Sequence, residues 1–374
     1  MVAATMAQLT GRNCMPSHDK HVLCLGMLVM DYCVVVDEFP VQDTKQTASA
    51  QRVGGGGNAA NTAVQLSKLG VKSSLISKVG QDSNGNMLVD ELEKDLVSVD
   101  GVEIGEEGFR NTVTSFVLVA KDTRTIISMP YEQRVTDVSI NFLKNKMHLF
   151  DNVSMLYLDG RHLAAAAVAV DFAFEKGIDI LVEAELRSKA LMKIHGSGLR
   201  RLLNKATYII SNKSYAQELY GSIQAFDKYS NEQLGLNKIE VSLLRMLDQY
   251  PKCKYLIATL GDNGSIAVSK VASDKTADTT SYKIYTVDAY SFDHTINPIV
   301  DTTGAGDAFV GGFIEGILNG YSIPSTLQRA SFVGAMNCLN GYGARYSMVD
   351  KAALNGALPQ INNIKWREKV VSVW

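Results

Sequence analysis

Apolar runs of strand length alternate with amphipathic segments of helix length along most of the chain. The run from Val22 to Val29 predicts a buried strand, and the segment from Asn58 to Leu69 predicts a helix. Strands separated by helices favour right-handed crossovers and a mostly parallel sheet that is covered on both faces. Further strands are predicted at Leu75 to Val79, Ser154 to Leu158, Ile178 to Val182, Tyr208 to Ser211 and Tyr255 to Leu260, and further helices at Leu163 to Phe174, at Ser242 to Leu247 and around Leu88, Leu92 and Leu96.

Two regions interrupt this alternation. Residues 32–52 and 112–129 contain β-branched runs without an intervening helix, which predicts short antiparallel strands. We expect these strands to form a small sheet, a discontinuous lid over the carboxyl edge of the parallel sheet, where α/β proteins bind ligands. The polar stretches Tyr220 to Asn237 and Lys270 to Tyr282 are predicted to be surface insertions.

The composition excludes several classes of protein. Of the 374 residues 46% are hydrophobic, and 37 basic against 39 acidic residues give a net charge of −2. This apolar content and small net charge exclude a disordered chain, and the lack of a basic excess argues against a nucleic-acid partner. No run reaches the roughly 20 apolar residues of a membrane-spanning helix, so no membrane partner is expected.

Prolines and cysteines bear on domain organisation and compartment. The seven prolines form no run and leave no evident linker, which favours one large α/β domain over residues 20–374 behind a flexible segment, 1–19. The five scattered cysteines contain no Cys-x-x-Cys pair, which favours reduced thiols and a cytoplasmic protein over a disulfide framework or a zinc site. Alternatively, residues 1–19 are an organelle-targeting segment, because they combine an arginine with several alanines and threonines.

The string from Asp301 to Phe309 carries the most chemistry. Apolar residues spaced by four after it predict a helix that begins near Gly304. The glycines at this helix start leave the backbone N–H groups of residues 304–307 open to an anion. Asp307 lies in the first turn beside that anion, where a carboxylate is best explained as a general base that takes a proton. The alternative is that Asp307 only interacts favourably with the helix dipole.

These residues resemble the signatures of the ribokinase-like (pfkB) carbohydrate kinases. Asp-Thr-Thr-Gly-Ala-Gly-Asp-Ala-Phe at 301–309 matches the C-terminal signature of the family, and Gly-Gly-Gly-Gly-Asn-Ala-Ala-Asn at 54–61 matches its N-terminal one. The resemblance extends from about His21 to Ser347. It implies a three-layer α/β/α fold with a mainly parallel central sheet and a small β-sheet lid. In the implied site, Asp307 is the base, and the backbone of Gly304, Ala305 and Gly306 binds the anion.

The acceptor side is expected around the glycine run. Asn58 and Asn61 lie three apart at a helix start and offer amide donors and acceptors to hydroxyls, with Gly57 before them. A flexible hinge is the alternative role for the glycines. Asp31 is expected to end the first strand at the carboxyl edge of the sheet. The resemblance implies that this aspartate binds substrate hydroxyls.

Three further segments resemble those of ketohexokinases. Asp122-Thr123-Arg124-Thr125-Ile126, Leu158-Asp159-Gly160-Arg161-His162 and Val182-Glu183-Ala184-Glu185 are each similar to a stretch of that subgroup. The resemblance adds Asp159 and Arg124 to the substrate-binding residues, and Arg124 is expected to approach phosphates when the lid closes. Exposed charge is the alternative interpretation of all three segments.

The nucleotide side rests mainly on the resemblance. Thr259, Gly261 and Gly264 are similar to the Thr-x-Gly-x-x-Gly loop beside the ATP, although an ordinary glycine turn would also explain them. Asn337 is similar to a position that lines the adenine pocket, with a core-helix role as the alternative. Asn212 follows a predicted strand where many members have Asn-x-x-Glu, and this chain lacks the glutamate. That departure puts the family's detailed magnesium-water network in doubt; the metal ligands are not identified.

The resemblance implies an ATP-dependent phosphotransferase that acts on a primary hydroxyl of a ketose or ribose-like sugar. It implies Mg²⁺ with the ATP, allows a monovalent cation as a further cofactor, and suggests a homodimer through the lid. Two alternatives stay open: a nucleoside kinase with Tyr32 and Phe39 beside the base, and a non-catalytic binding protein of the same fold. The intact Gly304, Gly306 and Asp307 argue against the last, because a binding module has no need of them.

Overall fold

A computed structural model describes residues 20–105, 111–120, 123–129, 136–185, 198–220, 229, 234–271, 279–292, 298–339 and 341–373. The predicted flexible segment 1–19 and most of the two predicted insertions lie outside these ranges. Within them, no helix is both long and apolar enough to cross a membrane.

The order of elements follows the predicted alternation of strands and helices. The strands are β1 (His21–Leu25), β2 (Val29–Val36), β3 (Ala50–Gly56), β4 (Lys72–Val79), β5 (Ser98–Ile104), β6 (Thr114–Ala120), β7 (Thr123–Ser128), β8 (Met155–Leu158), β9 (Asp179–Ala184), β10 (Tyr208–Asn212), β11 (Tyr255–Thr259), β12 (Ser265–Lys270), β13 (Thr280–Val287) and β14 (Trp366–Val373). The helices are α1 (Asn58–Lys68), α2 (Ser83–Lys94), α3 (Ile140–Asn145), α4 (Leu163–Glu175), α5 (Lys213–Tyr220), α6 (Lys238–Gln249), α7 (Ala305–Leu318), α8 (Ile323–Met336), α9 (Lys351–Gly356) and α10 (Leu358–Asn362).

Ten strands form one large sheet in the order β14-β13-β12-β11-β10-β9-β8-β1-β4-β5. From β11 to β5 neighbouring strands are parallel, whereas β12, β13 and β14 are antiparallel additions at one edge. Helices α1, α7 and α8 cover one face, and α4, α5 and α6 cover the other. The predicted three-layer architecture with a mainly parallel sheet is confirmed.

Strand β1 is buried on both faces of the large sheet, which is why its sequence is a continuous apolar run. Leu23 and Leu25 point into one hydrophobic core, and Val22 and Cys24 point into the other. A parallel strand with helices on both faces buries every side chain, so polar residues do not alternate with apolar ones.

The predicted first strand is too long, because the apolar run hides a change of sheet. β1 ends at Leu25, and β2 begins at Val29 in a separate small sheet. At Gly26 a Cβ would lie 2.2 Å from the Asp159 carboxyl carbon, so only glycine fits where the chain leaves the large sheet. Asp31 therefore lies within lid strand β2 and does not end the first strand.

The small sheet has the order β3-β2-β6-β7 and forms the predicted lid. The prediction of purely antiparallel strands is wrong at one position, since β2 and β6 run parallel. The elements from β3 to β5 separate these two strands in the chain. After β4 and β5 of the large sheet, the chain returns to the lid and enters β6 in the same direction as β2.

Two smaller predictions also need correction. Leu96 lies beyond the end of α2, with φ of 60° and 83% of its surface exposed, so it does not belong to the buried stripe of Leu88 and Leu92. Tyr282 lies in β13 and is fully buried, with its hydroxyl 2.7 Å from Asp248 Oδ1. The end of the second predicted insertion is thus part of the sheet rather than a surface loop.

Candidate active site

The start of helix α7, at the edge of the large sheet, leaves the backbone N–H groups of Gly306 and Asp307 unpaired within the described part of the chain. Among the described residues, no side chain caps the helix, and a Cβ at Gly306 would meet no atom within 4 Å. The Ala305 N–H donates to the Thr302 carbonyl at 3.3 Å, whereas the N–H groups of Gly306 and Asp307 have no acceptor among the described residues. Such a turn is a ready site for phosphate oxygens.

Gly304 fixes the geometry of this turn. Its φ of 79° places it in the left-handed region, and a Cβ there would lie 2.6 Å from the Ala344 Cβ. Both observations require glycine, because any side chain would combine backbone strain with a collision. The glycine of the signature therefore serves close packing as well as open N–H groups.

Asp307 is buried in the first turn of α7, with 7% of its surface exposed. Its Oδ2 accepts a hydrogen bond of 2.7 Å from Asn61 Nδ2. Its Oδ1 accepts none within the described residues and is not fully enclosed, so this oxygen is available to a hydroxyl. Burial raises the pKa of Asp307 to about 7, even though the Asn61 hydrogen bond opposes the rise. A carboxylate with such a pKa suits a general base at neutral pH.

Arg345, a residue that the sequence did not single out, holds the other end of the Asn61 amide. Its Nε donates to Asn61 Oδ1 at 3.0 Å, and its Nη2 donates to the Gly56 carbonyl at 3.1 Å. Glu91 Oε2 lies 3.7 Å from Arg345 Nη1 and accepts the Gly55 N–H at 2.8 Å. No sequence signal marks Arg345, because its partners lie far away in the chain.

The glycine run makes room for these charged side chains. A Cβ at Gly55 would lie 2.1 Å from Arg345 Nη1, and one at Gly56 would lie 1.9 Å from Asp31 Oδ2. Gly57 has φ of 94°, and a Cβ there would lie 2.4 Å from the Met27 carbonyl oxygen. A flexible hinge was the alternative role for this run, but residues 54–56 belong to strand β3, which lies directly over Arg345 and Asp31.

Asp31 reaches the same region from the lid. The Ser115 hydroxyl of strand β6 donates a hydrogen bond to its Oδ1. Burial raises the pKa of Asp31, while the Ser115 hydrogen bond and nearby Arg345 oppose the rise. The structure thus brings Asp31, Asn61 and Asp307 together around Arg345.

Asn58 contacts a buried carboxylate rather than open space alone. Its Nδ2 lies 3.3 Å from Glu183 Oε2, which also accepts a 2.7 Å hydrogen bond from the Tyr157 hydroxyl. Burial, with nearby Asp307, raises the pKa of Glu183 well above its ordinary value. With its Nδ2 held, Asn58 keeps its Oδ1 as an acceptor for a substrate hydroxyl.

Asp159 has a different environment from that of the other predicted substrate ligands. Its carboxylate accepts backbone N–H groups from Met27 at 2.8 Å, Arg161 at 3.1 Å and Ala59 at 3.4 Å. Only 3% of its surface is exposed. These contacts show that Asp159 supports the turn after β1 and the start of α1. Its predicted contact with substrate stays a prediction.

Replacing Asp159 with asparagine is therefore expected to destabilise the fold by about 1–3 kcal/mol, because one buried N–H loses its acceptor. The matched change Asp31→Asn should leave the unfolding free energy nearly unchanged but raise the sugar KM roughly tenfold or more. Urea unfolding and initial rates measure the two effects. If Asp159→Asn instead left stability intact and raised only KM, Asp159 would be a direct substrate ligand.

Arg124 of strand β7 connects the lid to the anion site. Its Nη1 donates a hydrogen bond to the Thr302 hydroxyl, just before α7. This contact with Thr302 supports the prediction that Arg124 approaches the phosphates, and that role stays a prediction. Asp122, quoted with Arg124 in the sequence, lies outside the described residues.

Asn212 and Thr259 lie side by side at the carboxyl edge of the sheet, paired between β10 and β11. Asn212 Oδ1 accepts the Tyr215 N–H at 2.8 Å and so begins helix α5. Gly261 has φ of 63°, and no described residue lies within 4 Å of the position of a Cβ there. A Cβ at Gly264 would lie 2.1 Å from the Val287 carbonyl oxygen, so this glycine allows the loop to pack on β13.

Asn337 is buried at the end of helix α8, with 1% of its surface exposed. Its Nδ2 donates to the Thr303 carbonyl at 2.9 Å, and its Oδ1 has no hydrogen-bond partner within the described ranges. It supports the loop before α7, so its predicted contact with adenine has no direct structural observation behind it.

A model of the pfkB family of carbohydrate kinases matches residues 19–350. The protein belongs to this family. It is similar to the ATP-dependent 6-phosphofructokinase of Thermoanaerobacterium thermosaccharolyticum, at 26% identity over 83% of each chain. The ketohexokinase of Mus musculus is 24% identical over 87% of this chain and 98% of its own. A nucleoside kinase of Methanothermobacter thermautotrophicus is 23% identical over 85% of this chain and 89% of its own.

Solved structures agree on the fold of this pfkB kinase. A ribokinase from Cryptococcus neoformans var. grubii serotype A in complex with ADP matches with a TM-score of 0.66 and 18% identity, over 91% of this chain and 99% of that one. The expectation of a ribokinase-like fold is confirmed. The protein is a kinase that transfers phosphate to a sugar or nucleoside hydroxyl, and its family implies ATP as the donor.

Proposed function

We propose that this pfkB kinase transfers the γ-phosphoryl group of ATP to a primary hydroxyl of a ketose or ribose-like sugar, with Asp307 as the general base. One observation carries the proposal: among the described residues, Asp307 keeps a free oxygen at the start of a helix where the N–H groups of Gly306 and Asp307 also have no partner. The acceptor hydroxyl can therefore meet its base and the transferred phosphoryl group at the same place.

The residues around Asp307 suit a polyhydroxyl acceptor. Asp31 and Asn58 Oδ1 can accept hydrogen bonds from sugar hydroxyls, and the Asn61 amide holds the base in place. Arg124, which bridges the lid to Thr302, would approach the transferred phosphoryl group and exclude water when the lid closes.

The residues present fit ATP and its cations. The open space at Gly306 suits phosphate oxygens. The proposed nucleotide side is the carboxyl edge of the sheet at the pair Asn212 and Thr259, with Gly261 and Gly264 in the loop that follows. Among the described residues, no three His, Cys, Asp or Glu side chains form a metal site. Mg²⁺ usually binds substrate phosphates with few protein ligands, and when bound it would neutralise charge on the ATP oxygens. The buried Asn337 Oδ1, which has no partner in the part of the chain that the structure describes, offers an oxygen that a monovalent cation could ligate.

The lid geometry favours a sugar over a nucleoside. Tyr32 alternates with Asp31 along β2, so its ring lies on the opposite face of the lid, where it stacks on Phe116 at 5.4 Å between ring centroids. Phe39 lies outside the lid strands and is 55% exposed. Of the two aromatic residues suggested for a nucleobase, Tyr32 therefore does not share the lid face of Asp31, and Phe39 belongs to no lid strand.

A homodimer through the lid stays a prediction. Val53, Phe116 and Ile127 are exposed at 39%, 40% and 53%, and Tyr32–Val53 and Phe116–Ile127 are register pairs. These positions give the outer lid face an apolar patch of the kind that a second copy could cover.

The acceptor class is tested by measuring ADP release with MgATP against a panel of ketoses, aldopentoses and nucleosides. We expect turnover on at least one ketose or aldopentose at a rate far above the rate with ATP alone. The variant Asp307→Asn, assayed with the same panel, controls for contaminating kinases. Turnover confined to nucleosides would replace the sugar by a nucleoside, and no turnover despite ATP binding would overturn the proposed activity.

A further inference from the structure

We propose that Arg345 is a positioning residue that fixes the Asn61 amide in the orientation that donates to Asp307, and that it ties this orientation to lid strand β3. The role rests on the proposed function of Asp307 as the base. Arg345 itself contacts neither of the reacting groups proposed above.

The hydrogen-bond chemistry of arginine leaves the amide only one orientation. A guanidinium can only donate, so the atom of Asn61 that faces Arg345 Nε at 3.0 Å must be the oxygen. The nitrogen must then face Asp307 Oδ2, at 2.7 Å. Without Arg345, the amide could turn its oxygen toward the carboxylate and lose the donor that opposes protonation of the base.

The same guanidinium also contacts the lid. Nη2 donates to the Gly56 carbonyl, and Nη1 lies 3.7 Å from Glu91 Oε2, which accepts the Gly55 N–H at 2.8 Å. Both backbone groups belong to β3, which lies directly above Arg345 because Gly55 has no Cβ. A movement of β3 would therefore change the support of Asn61 and, through it, of Asp307.

Several charged groups besides Arg345 face Asp307 and would persist in its absence. They come from other elements and their ends: Arg124 on β7, Asp159 after β8, and Glu183 and Glu185 on and after β9. Arg345 also interacts electrostatically with Asp307. Removal of the positive charge and of the amide donor both favour the protonated base, so the two effects have the same sign.

The test compares Arg345→Met and Arg345→Lys with Arg329→Met. Arg329 is also buried, pairs with Glu315 at 2.9 Å, and lies away from the proposed site. In the pH profile of kcat, we expect Arg345→Met to shift the acidic limb upward by about one pH unit. The change should affect kcat more than the sugar KM. Arg345→Lys should restore part of the shift. Arg329→Met should lower the melting temperature without moving the limb.

A second measurement needs no substrate. With the aspartate carboxyl carbons labelled with ¹³C, the NMR titration of Asp307, assigned by its loss in Asp307→Asn, should move upward by about one unit in Arg345→Met. In the Asn61→Ala background, the same arginine change should shift the titration much less, because the amide is already gone. An unchanged titration in folded Arg345→Met would overturn the role of Arg345. Absence of turnover with a shifted titration would instead count against the proposed function alone.

Discussion

Replacing Asp307 with asparagine is expected to lower turnover by about 10²–10⁴-fold while the protein remains folded and binds ATP. Asparagine has nearly the same shape and can still accept the hydrogen bond from Asn61, but it cannot take a proton from the acceptor hydroxyl. Initial rates at saturating ATP and sugar measure the change. Asp307 was assigned this role from its place at a glycine-rich helix start, and its 7% exposure agrees with a functional carboxylate held in a closed site.

The pH dependence follows from the environment of Asp307. Burial raises its pKa to about 7, so the ionised base accumulates, and wild-type turnover should rise, as the pH increases through that value. The sign for stability is opposite. A carboxyl whose pKa is raised on folding contributes stability below its unfolded pKa of about 3.9, and this contribution is lost as the pH rises through the folded pKa. Asp307→Asn should therefore melt at a higher temperature than wild type at pH 8.

The alternative role of Asp307 as a helix-dipole partner predicts a different outcome. In that case the asparagine variant would lose about 0.3–1 kcal/mol of stability at pH 8, and turnover would stay near the wild-type value. Thermal unfolding and turnover measured on the same preparation separate the two roles. The buried carboxyls of Glu183 and Asp159 also have raised pKa values, so part of the wild-type pH dependence of stability should persist in the variant.

Replacing Gly304 with alanine is expected to reduce turnover at least about a hundredfold and to destabilise the fold by about 2–6 kcal/mol. The left-handed backbone costs about 1–3 kcal/mol for a residue with a side chain, and the collision with Ala344 adds an overpacking cost of about 1–3 kcal/mol. The strain would displace the first turn of α7. The N–H donors of this turn are expected to stabilise the charge on the transferred phosphoryl group and so to raise the rate by about 10²–10³-fold. Chemical unfolding and initial rates measure the two effects.

Gly320→Ala is the matched control for Gly304→Ala. Gly320, after the end of α7, has a similar φ of 74°, but a Cβ there would meet no described residue within 4 Å. It should cost about 1–3 kcal/mol from backbone strain and leave turnover per folded molecule unchanged. Equal losses of stability in both variants would show that the contact with Ala344 is not important.

Local chemistry made much of the site predictable. The helix start at Gly304, the helix from Asn58 and the strands of the large sheet could be predicted because helix periodicity, glycines and buried apolar runs are local signals. The same signals led to a wrong prediction, that Asp31 ends the first strand of the large sheet, whereas it lies in lid strand β2. The apolar run from Val22 to Val29 continues through a change of sheet, and a sequence pattern does not show which sheet a strand joins.

The sequence by itself determined the family, the three-layer architecture and the two signature segments, since each depends on residues that are close together in the chain. Only the tertiary structure decided that Asp159 supports backbone and that Asn61 donates to Asp307. It also placed Arg345 beneath strand β3, where it reaches Asn61 from 284 positions away in the chain. Hydrogen bonds between distant segments depend on how the sheets and helices pack, and a buried arginine has no local pattern that names its partners.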